Sequence, residues 1–191
     1  MVEIIRNNET IKPTRIDGLF VIERPTFPDE RGFFHEVVRM NELKDAGVDF
    51  KPVQISHSRS EPRVIRAIHS EEWSKLVYPV SGKLFIAIAD VDPESKTFGL
   101  VETFNFDSDA SNSTHVALLL PPGIGNSLCV VGDKPVDYIY AVTEYWDNSK
   151  ATGIAWDDPD LKIDWPIKNP IISDRDRNNP TLRQLYPEKF K

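Results

Sequence analysis

The residues best able to move protons in this chain stand in two places. The first is Arg66-Ala67-Ile68-His69, followed at once by Ser74-Lys75-Leu76-Val77. The second is Tyr138-Ile139-Tyr140, inside an aromatic stretch that runs on to Tyr145-Trp146. An imidazole is a competent base near neutral pH, a phenol can return a proton, and a lysine can stabilise an oxyanion. Singly, a strand histidine is most often structural, a lysine most often a surface charge, and a tyrosine most often core. The combination is harder to dismiss, because cations recur on neighbouring strands beside an aromatic stretch. In a regular strand Arg66 and Ile68 point one way and His69 the other, while Tyr138 and Tyr140 share a face.

Other chemistries find less support. None of the four histidines (His35, His57, His69 and His115) is paired at i, i+2 or i, i+4, so no metal site is expected. Neither Gly-x-Ser-x-Gly nor Gly-x-Gly-x-x-Gly occurs, which removes support for a serine hydrolase or a dinucleotide-binding enzyme. The net charge of −7 argues against nucleic acid or an anionic membrane surface as partner, though not against a small anionic ligand.

The elements that position these residues read as short strands separated by turns. Residues 18–23, 33–38, 53–57, 64–69, 76–80, 83–91, 98–106, 116–120, 128–131 and 136–145 are β-rich, with Gly, Pro and Asp between them. The run 84–89 is apolar on both faces, as a central strand between two layers would be. One helix is expected at 41–46, capped by Asn41 and ended by Gly47. From Asp157 onward the Pro- and Asp-rich tail predicts short helical turns lying on the sandwich, anchored by Trp156 and Trp165. The expectation is one all-β domain over residues 1–191, of sandwich or barrel type.

At 191 residues, 40% hydrophobic and 28% charged, the chain can bury a substantial core. No signal peptide is visible and no apolar run could span a bilayer. A single cysteine, Cys129, fits a reducing compartment, so the cytoplasm is expected.

The order of these residues resembles the dTDP-4-dehydrorhamnose 3,5-epimerases of the cupin superfamily. The resemblance rests on Asp29-Glu30-Arg31-Gly32-Phe33-Phe34-His35-Glu36, on Gln54 to Ser58, and on Val64-Ile65-Arg66-Ala67-Ile68-His69. Lys75, Gly82, Ser95-Lys96-Thr97-Phe98-Gly99, Pro121-Pro122-Gly123 and Tyr140 follow in order. Trp156-Asp157-Asp158-Pro159, Trp165-Pro166 and Ser173-Asp174-Arg175-Asp176 complete the set. Each landmark is weak; the ordered set is strong.

The resemblance implies a double-stranded β-helix (a cupin or jelly-roll sandwich) with short C-terminal helical segments. It implies epimerisation at C3, C5 or both of a nucleotide-linked 4-keto-6-deoxy sugar, with no cofactor. His69 would be the base, Asp176 its orienting partner, Lys75 the stabiliser of the enolate oxygen, and Tyr140 the opposite-face acid. Arg31, Glu36, Gln54, Arg66 and Asn126 would contact the substrate, and Phe34 and Trp146 would stack on its base. A homodimer with exchanged N-terminal strands is implied as well.

Departures from the pattern widen the substrate range. Ala67 replaces a glycine, the His69–Lys75 interval is shorter than in typical rhamnose-pathway members, and Ser56 stands where the family has asparagine. Asn126 takes the place of the second histidine. These features resemble branches acting on other nucleotide-linked keto-sugars, including CDP- and GDP-linked ones. Assigning Tyr140 needs one extra residue in the 132–135 turn; Ile139 is the ungapped alternative. A single-centre epimerase, a 3,4-ketoisomerase and a non-catalytic sugar-nucleotide-binding cupin stay open as other readings.

Overall fold

The computed structural model describes residues 10–108 and 115–190. Its first strands are β1 (Ile11–Pro13), β2 (Phe20–Glu23) and the hairpin β3 (Thr26–Asp29) and β4 (Gly32–His35), followed by helix α1 (Met40–Asp45). Next come β5 (Gln54–Ser60), β6 (Ile65–Glu71), β7 (Lys75–Pro79), β8 (Lys83–Asp90) and β9 (Val101–Asp107). The sandwich is completed by β10 (Val116–Leu120), β11 (Ile124–Val130), β12 (Val136–Val142) and β13 (Ala151–Gly153). Two one-turn helices, α2 (Asp174–Arg177) and α3 (Leu182–Leu185), lie in the C-terminal segment.

The strands form one sheet of order β1-β2-β10-β7-β12-β5 and a second of order β13-β6-β11-β8-β9, with β3–β4 apart. Every pairing between these strands is antiparallel. Between the sheets Val77, Leu118, Leu120, Val136 and Tyr138 meet Leu84, Ile86, Ile88, Leu128 and Val130. Burying each such side chain contributes roughly 1.5–3 kcal/mol. This is the cupin-type jelly roll.

The strand β8 shows why the run 84–89 lacks polar alternation. Leu84, Ile86 and Ile88 face the sandwich interior, while Phe85, Ala87 and Ala89 face the C-terminal segment, where Trp156, Trp165 and Leu182 cover them. Trp165 is fixed by its indole N–H donating to the Trp156 carbonyl at 2.8 Å and by an edge-on contact with Phe85. On the outside of the first sheet, Leu43 of α1 and Phe50 seal Phe20, Leu76, Tyr78 and Leu119. Both sheets are thus covered on both faces along their central strands, while the outer face of edge strand β5 stays open at Ile55.

Several boundaries differ from expectation. Helix α1 begins at Met40 with Arg39 as its N-cap, and no side chain caps it. Asn41 lies inside the first turn, because Arg39 is held in place by Glu36 at 3.0 Å and 3.1 Å. Strand β11 starts at Ile124 rather than 128, since Gly125 and Asn126 pair with Ala89 and Ile88 of β8. The short strands β1, β3 and β13 carry too few alternating residues to be read from sequence.

Candidate active site

One irregularity in β6 organises the site. Asn126 of β11 pairs with His69, and Leu128 pairs with Arg66, so two steps on β11 oppose three on β6. A bulge of this kind reverses the side-chain parity beyond it. Arg66, His69 and Glu71 therefore border one cavity of about 220 Å³. Regular alternation places Arg66 and His69 on opposite faces; the extra residue corrects that expectation. The bulge is pinned from outside by two backbone bonds between Ile68 and Ile154, at 2.9 Å and 3.2 Å. The Ile68 methyl group also packs on Gly125 of the neighbouring strand, where a Cβ would lie 2.5 Å from it.

Asp176 reaches His69 from the C-terminal segment. Its own backbone N–H donates to Ser173 Oγ at 3.1 Å, the N-cap bond that builds α2 and turns the carboxylate inward. His69 Nε2 lies 2.8 Å from Asp176 Oδ1, and the Ala67 N–H donates to Oδ2 at 3.4 Å. Burial alone raises the Asp176 pKa, but the hydrogen bond and charge of His69, helped by Ala67, hold it below the ordinary carboxylate value. With Nε2–H committed to Asp176, Nδ1 is the ring nitrogen left to act on a ligand.

Lys75 opens β7, and only a three-residue connection separates it from the end of β6. Its Nζ lies 2.5 Å from Glu71 Oε2 and 5.7 Å from the centre of the Tyr140 ring. Tyr138 and Tyr140 both border the cavity, as the period of two predicts, and Ile139 does not. The buried Tyr138 hydroxyl donates to Asn126 Oδ1 at 3.2 Å. Burial pushes its pKa far above that of a free phenol, so it stays protonated.

The remaining cavity residues form its mouth. Gln54 donates to Ser56 Oγ at 3.0 Å and accepts the backbone N–H of Trp146 at 3.1 Å, which seats the half-exposed indole at the rim. Arg66 is braced by Ser60 Oγ at 2.9 Å and the Arg59 carbonyl at 3.2 Å. The cavity thus brings together His69, Lys75, Tyr140, Gln54, Arg66, Asn126 and Trp146, with Asp176 behind His69.

Three candidate residues lie elsewhere in the single chain. Arg31 and Phe34 sit on the β3–β4 hairpin; Arg31 is exposed and pairs with Asp29 at 2.5 Å, and Phe34 is 64% exposed. Glu36 accepts from Arg24 at 2.8 Å and from Arg39. None of the three borders the cavity. Conversely, the sequence reading passed over Ser58, Glu71, Trp73 and Arg175, all of which do. Glu71 could have been found, because it stands two residues beyond His69 on the same strand face.

The other histidines are apart from this constellation. His57 meets Asp137 at 2.9 Å, and the rings of His35 and His115 lie 5.3 Å apart under the hairpin. Among the described residues no three His, Cys, Asp or Glu side chains group as a metal site would need.

Comparison with known proteins identifies the family of the chain. The family model for dTDP-4-dehydrorhamnose 3,5-epimerase matches residues 13–184. A dTDP-4-dehydrorhamnose 3,5-epimerase from Shigella flexneri is 31% identical over 170 residues, covering 86% of this chain and 91% of its own. A 4-keto-6-deoxy sugar epimerase from the novobiocin biosynthetic gene cluster of Streptomyces spheroides superposes with TM-score 0.86 at 27% identity, over 94% and 90% of the two chains. A 3'-monoepimerase from Streptomyces bikiniensis, in complex with dTDP-quinovose, gives TM-score 0.84 at 29% identity, over 93% and 90%. With a match spanning nearly the whole chain and a cupin sandwich around the His69 cavity, the protein belongs to the dTDP-4-dehydrorhamnose 3,5-epimerase family of isomerases.

Proposed function

We propose that the cavity inverts carbons flanking the 4-keto group of a nucleotide-linked 6-deoxy sugar. The observation that carries this reading is the His69–Asp176 pair, at 2.8 Å, in a cavity that also holds Lys75 and Tyr140. A C–H next to a ketone becomes acidic when the developing oxyanion is stabilised, and preorganised donors supply roughly 3–4 kcal/mol per contact. His69 Nδ1 takes the proton, and Asp176 stabilises the imidazolium that forms. Lys75 meets the enolate oxygen, and Tyr140 delivers a proton from the other face. Base and acid assistance of this kind contributes about 10²–10⁴-fold.

Arg66, Gln54, Asn126 and Trp146 hold the sugar and its diphosphate or base. Arg31, Phe34 and Glu36 fit a different placement: the β3–β4 hairpin of a second copy, in a homodimer with exchanged N-terminal strands, reaches the nucleotide. Exposed Phe27, Phe33 and Phe34 support that assembly. For location we favour the cytoplasm; Cys129 is buried, with its thiol pushed up to about 12, and is unreactive. No helix among the described residues is long and apolar enough to cross a membrane.

The test is incubation with dTDP-, CDP- and GDP-linked 4-keto-6-deoxyhexoses in D₂O, following C3 and C5 by NMR. Deuterium at both carbons is the expected result. Deuterium at one carbon alone supports the second reading, a single-centre epimerase, which the likeness to a 3'-monoepimerase favours. Binding without exchange for every donor would eliminate both.

A further inference from the structure

The Lys75–Glu71 pair asks for an explanation beyond stability. Their side chains are only 8% and 11% exposed, and Nζ meets Oε2 at 2.5 Å. Desolvating two charges offsets most of what their attraction returns, so such a pair is weak evidence of stabilisation. It also blunts the positive charge that Lys75 offers an enolate. The pairing follows from the short connection between β6 and β7, which sets the two side chains next to each other at the cavity wall.

The hydrogen-bond accounting around the cavity points to a use for Glu71. Asn126 Oδ1 already accepts from Tyr138, and Gln54 Oε1 already accepts from the Trp146 backbone. Ser58 is turned to the Tyr138 carbonyl at 3.5 Å. Glu71 spends Oε2 on Lys75, and its Oε1 has no hydrogen-bond partner among the described residues. The oxygens of Asn126, Gln54 and Ser58 can each accept again but are neutral, whereas Glu71 is the one carboxylate among the described residues bordering the cavity, and so its strongest acceptor. An ammonium and a carboxylate held side by side match two neighbouring oxygens of opposite need. A keto oxygen accepts from the first, and a hydroxyl on the adjacent carbon donates to the second.

We propose that Glu71 is a specificity-determining residue: its Oε1 accepts the hydroxyl next to the keto carbon, while its Oε2 holds Lys75 for the keto oxygen. The preferred substrate class is thus the α-hydroxy-ketone sugar, and a sugar deoxygenated at C3 is disfavoured. This rests on the assignment of the cavity to 4-keto sugar nucleotides.

The experiment pairs dTDP-4-keto-6-deoxyglucose with its 3-deoxy counterpart on the full chain. Calorimetry reads the affinity ratio, and deuterium exchange at C3 or C5 reads the reaction. A hydrogen bond to a charged acceptor predicts a roughly 10–100-fold preference for the hydroxylated sugar. In Glu71→Gln, where only a neutral acceptor is left, the ratio should fall about tenfold; in Glu71→Leu it should approach one. Glu71→Gln is nearly isosteric and keeps the test valid if the leucine variant does not fold. Equal affinities in the unaltered protein, or a ratio unchanged in Glu71→Gln, would overturn the role of Glu71 while exchange upheld the epimerase. Absence of exchange with both sugars would instead remove the epimerase assignment, leaving the affinity ratio to judge Glu71 by itself.

Discussion

His69 Nε2 and Asp176 Oδ1 lie 2.8 Å apart although 107 positions separate them in sequence. The contact fixes both the ring orientation and the tautomer, since Asp176 can only accept. Replacing His69 by Ala should abolish deuterium exchange. Asp176→Asn should keep the fold yet slow exchange by about 10²–10⁴-fold, because an amide neither enforces the tautomer nor stabilises an imidazolium. Single-turnover exchange in D₂O separates the two variants. Equal rates for Asp176→Asn and the unaltered protein would refute the pairing as a catalytic device.

The same contact makes a prediction about acid stability. The Asp176 carboxyl is held below its unfolded value of 3.8. A depressed carboxylate contributes stability that is fully present above the unfolded pKa and is lost as pH falls through the folded one. Unfolding by urea should therefore show a loss beginning near pH 4 and deepening below it, and Asp176→Asn should lack that component.

How much of this was legible beforehand depends on the kind of information. Strand positions were readable because turn residues punctuate them, and the double-sided burial of 84–89 was readable from its lack of alternation. The shared face of Tyr138 and Tyr140 followed from the strand period alone. The cavity as a whole was not. The bulge that brings Arg66 to the side of His69 depends on pairing with β11, which no local pattern in 64–69 encodes. The pairing of Glu71 with Lys75 is hidden for a different reason: it spans the turn between β6 and β7, and the strand period says nothing about how side chains meet across a turn. Arg31, Phe34 and Glu36 were legible as a motif, but in the single chain none of them borders the cavity, and no local pattern encodes that separation.

Tyr140→Phe tests the order of proton transfers. Abstraction by His69 should survive, so exchange continues, whereas delivery from the opposite face should fail and inversion should drop by at least about tenfold. Comparing the NMR rates of deuterium uptake and of product formation shows the split. Inversion at the normal rate would transfer the acid role to another group, and Tyr138, fully buried and donating to Asn126, would be the first to examine.

A second pH effect should arise far from the cavity. His35 and His115, with rings 5.3 Å apart, are both held below the ordinary value of 6.5, chiefly by burial. For His35, the Pro25 backbone opposes that depression, the neighbouring charges of His115 and Arg24 add to it, and Glu36 opposes it more weakly. The folded state thus keeps both rings neutral, and stability present above pH 6.5 is lost as pH falls toward the folded values. The melting temperature should decline between pH 7 and 5. His35→Phe with His115→Phe should flatten that decline, and an unchanged slope in the double variant would assign it elsewhere.

Gly125 links the site to the core and gives the last test. A Cβ at this position would lie 2.5 Å from Ile68 Cγ2 and 3.3 Å from the Ala89 carbonyl oxygen, so the Ile68 side chain or its strand must shift. Ile68 sits inside the bulge that sets Arg66 and His69 on one cavity. Gly125→Ala should accordingly cost about 1–3 kcal/mol, as overpacking in a dense core does. It should also slow exchange more than that loss of stability explains, because the bulge cannot relax without moving His69. Adding Ile68→Leu, whose side chain carries no Cγ2, removes the clashing methyl and should restore part of both. If stability recovered while exchange stayed low, the carbonyl contact of Ala89 rather than Ile68 would be what transmits the change to His69.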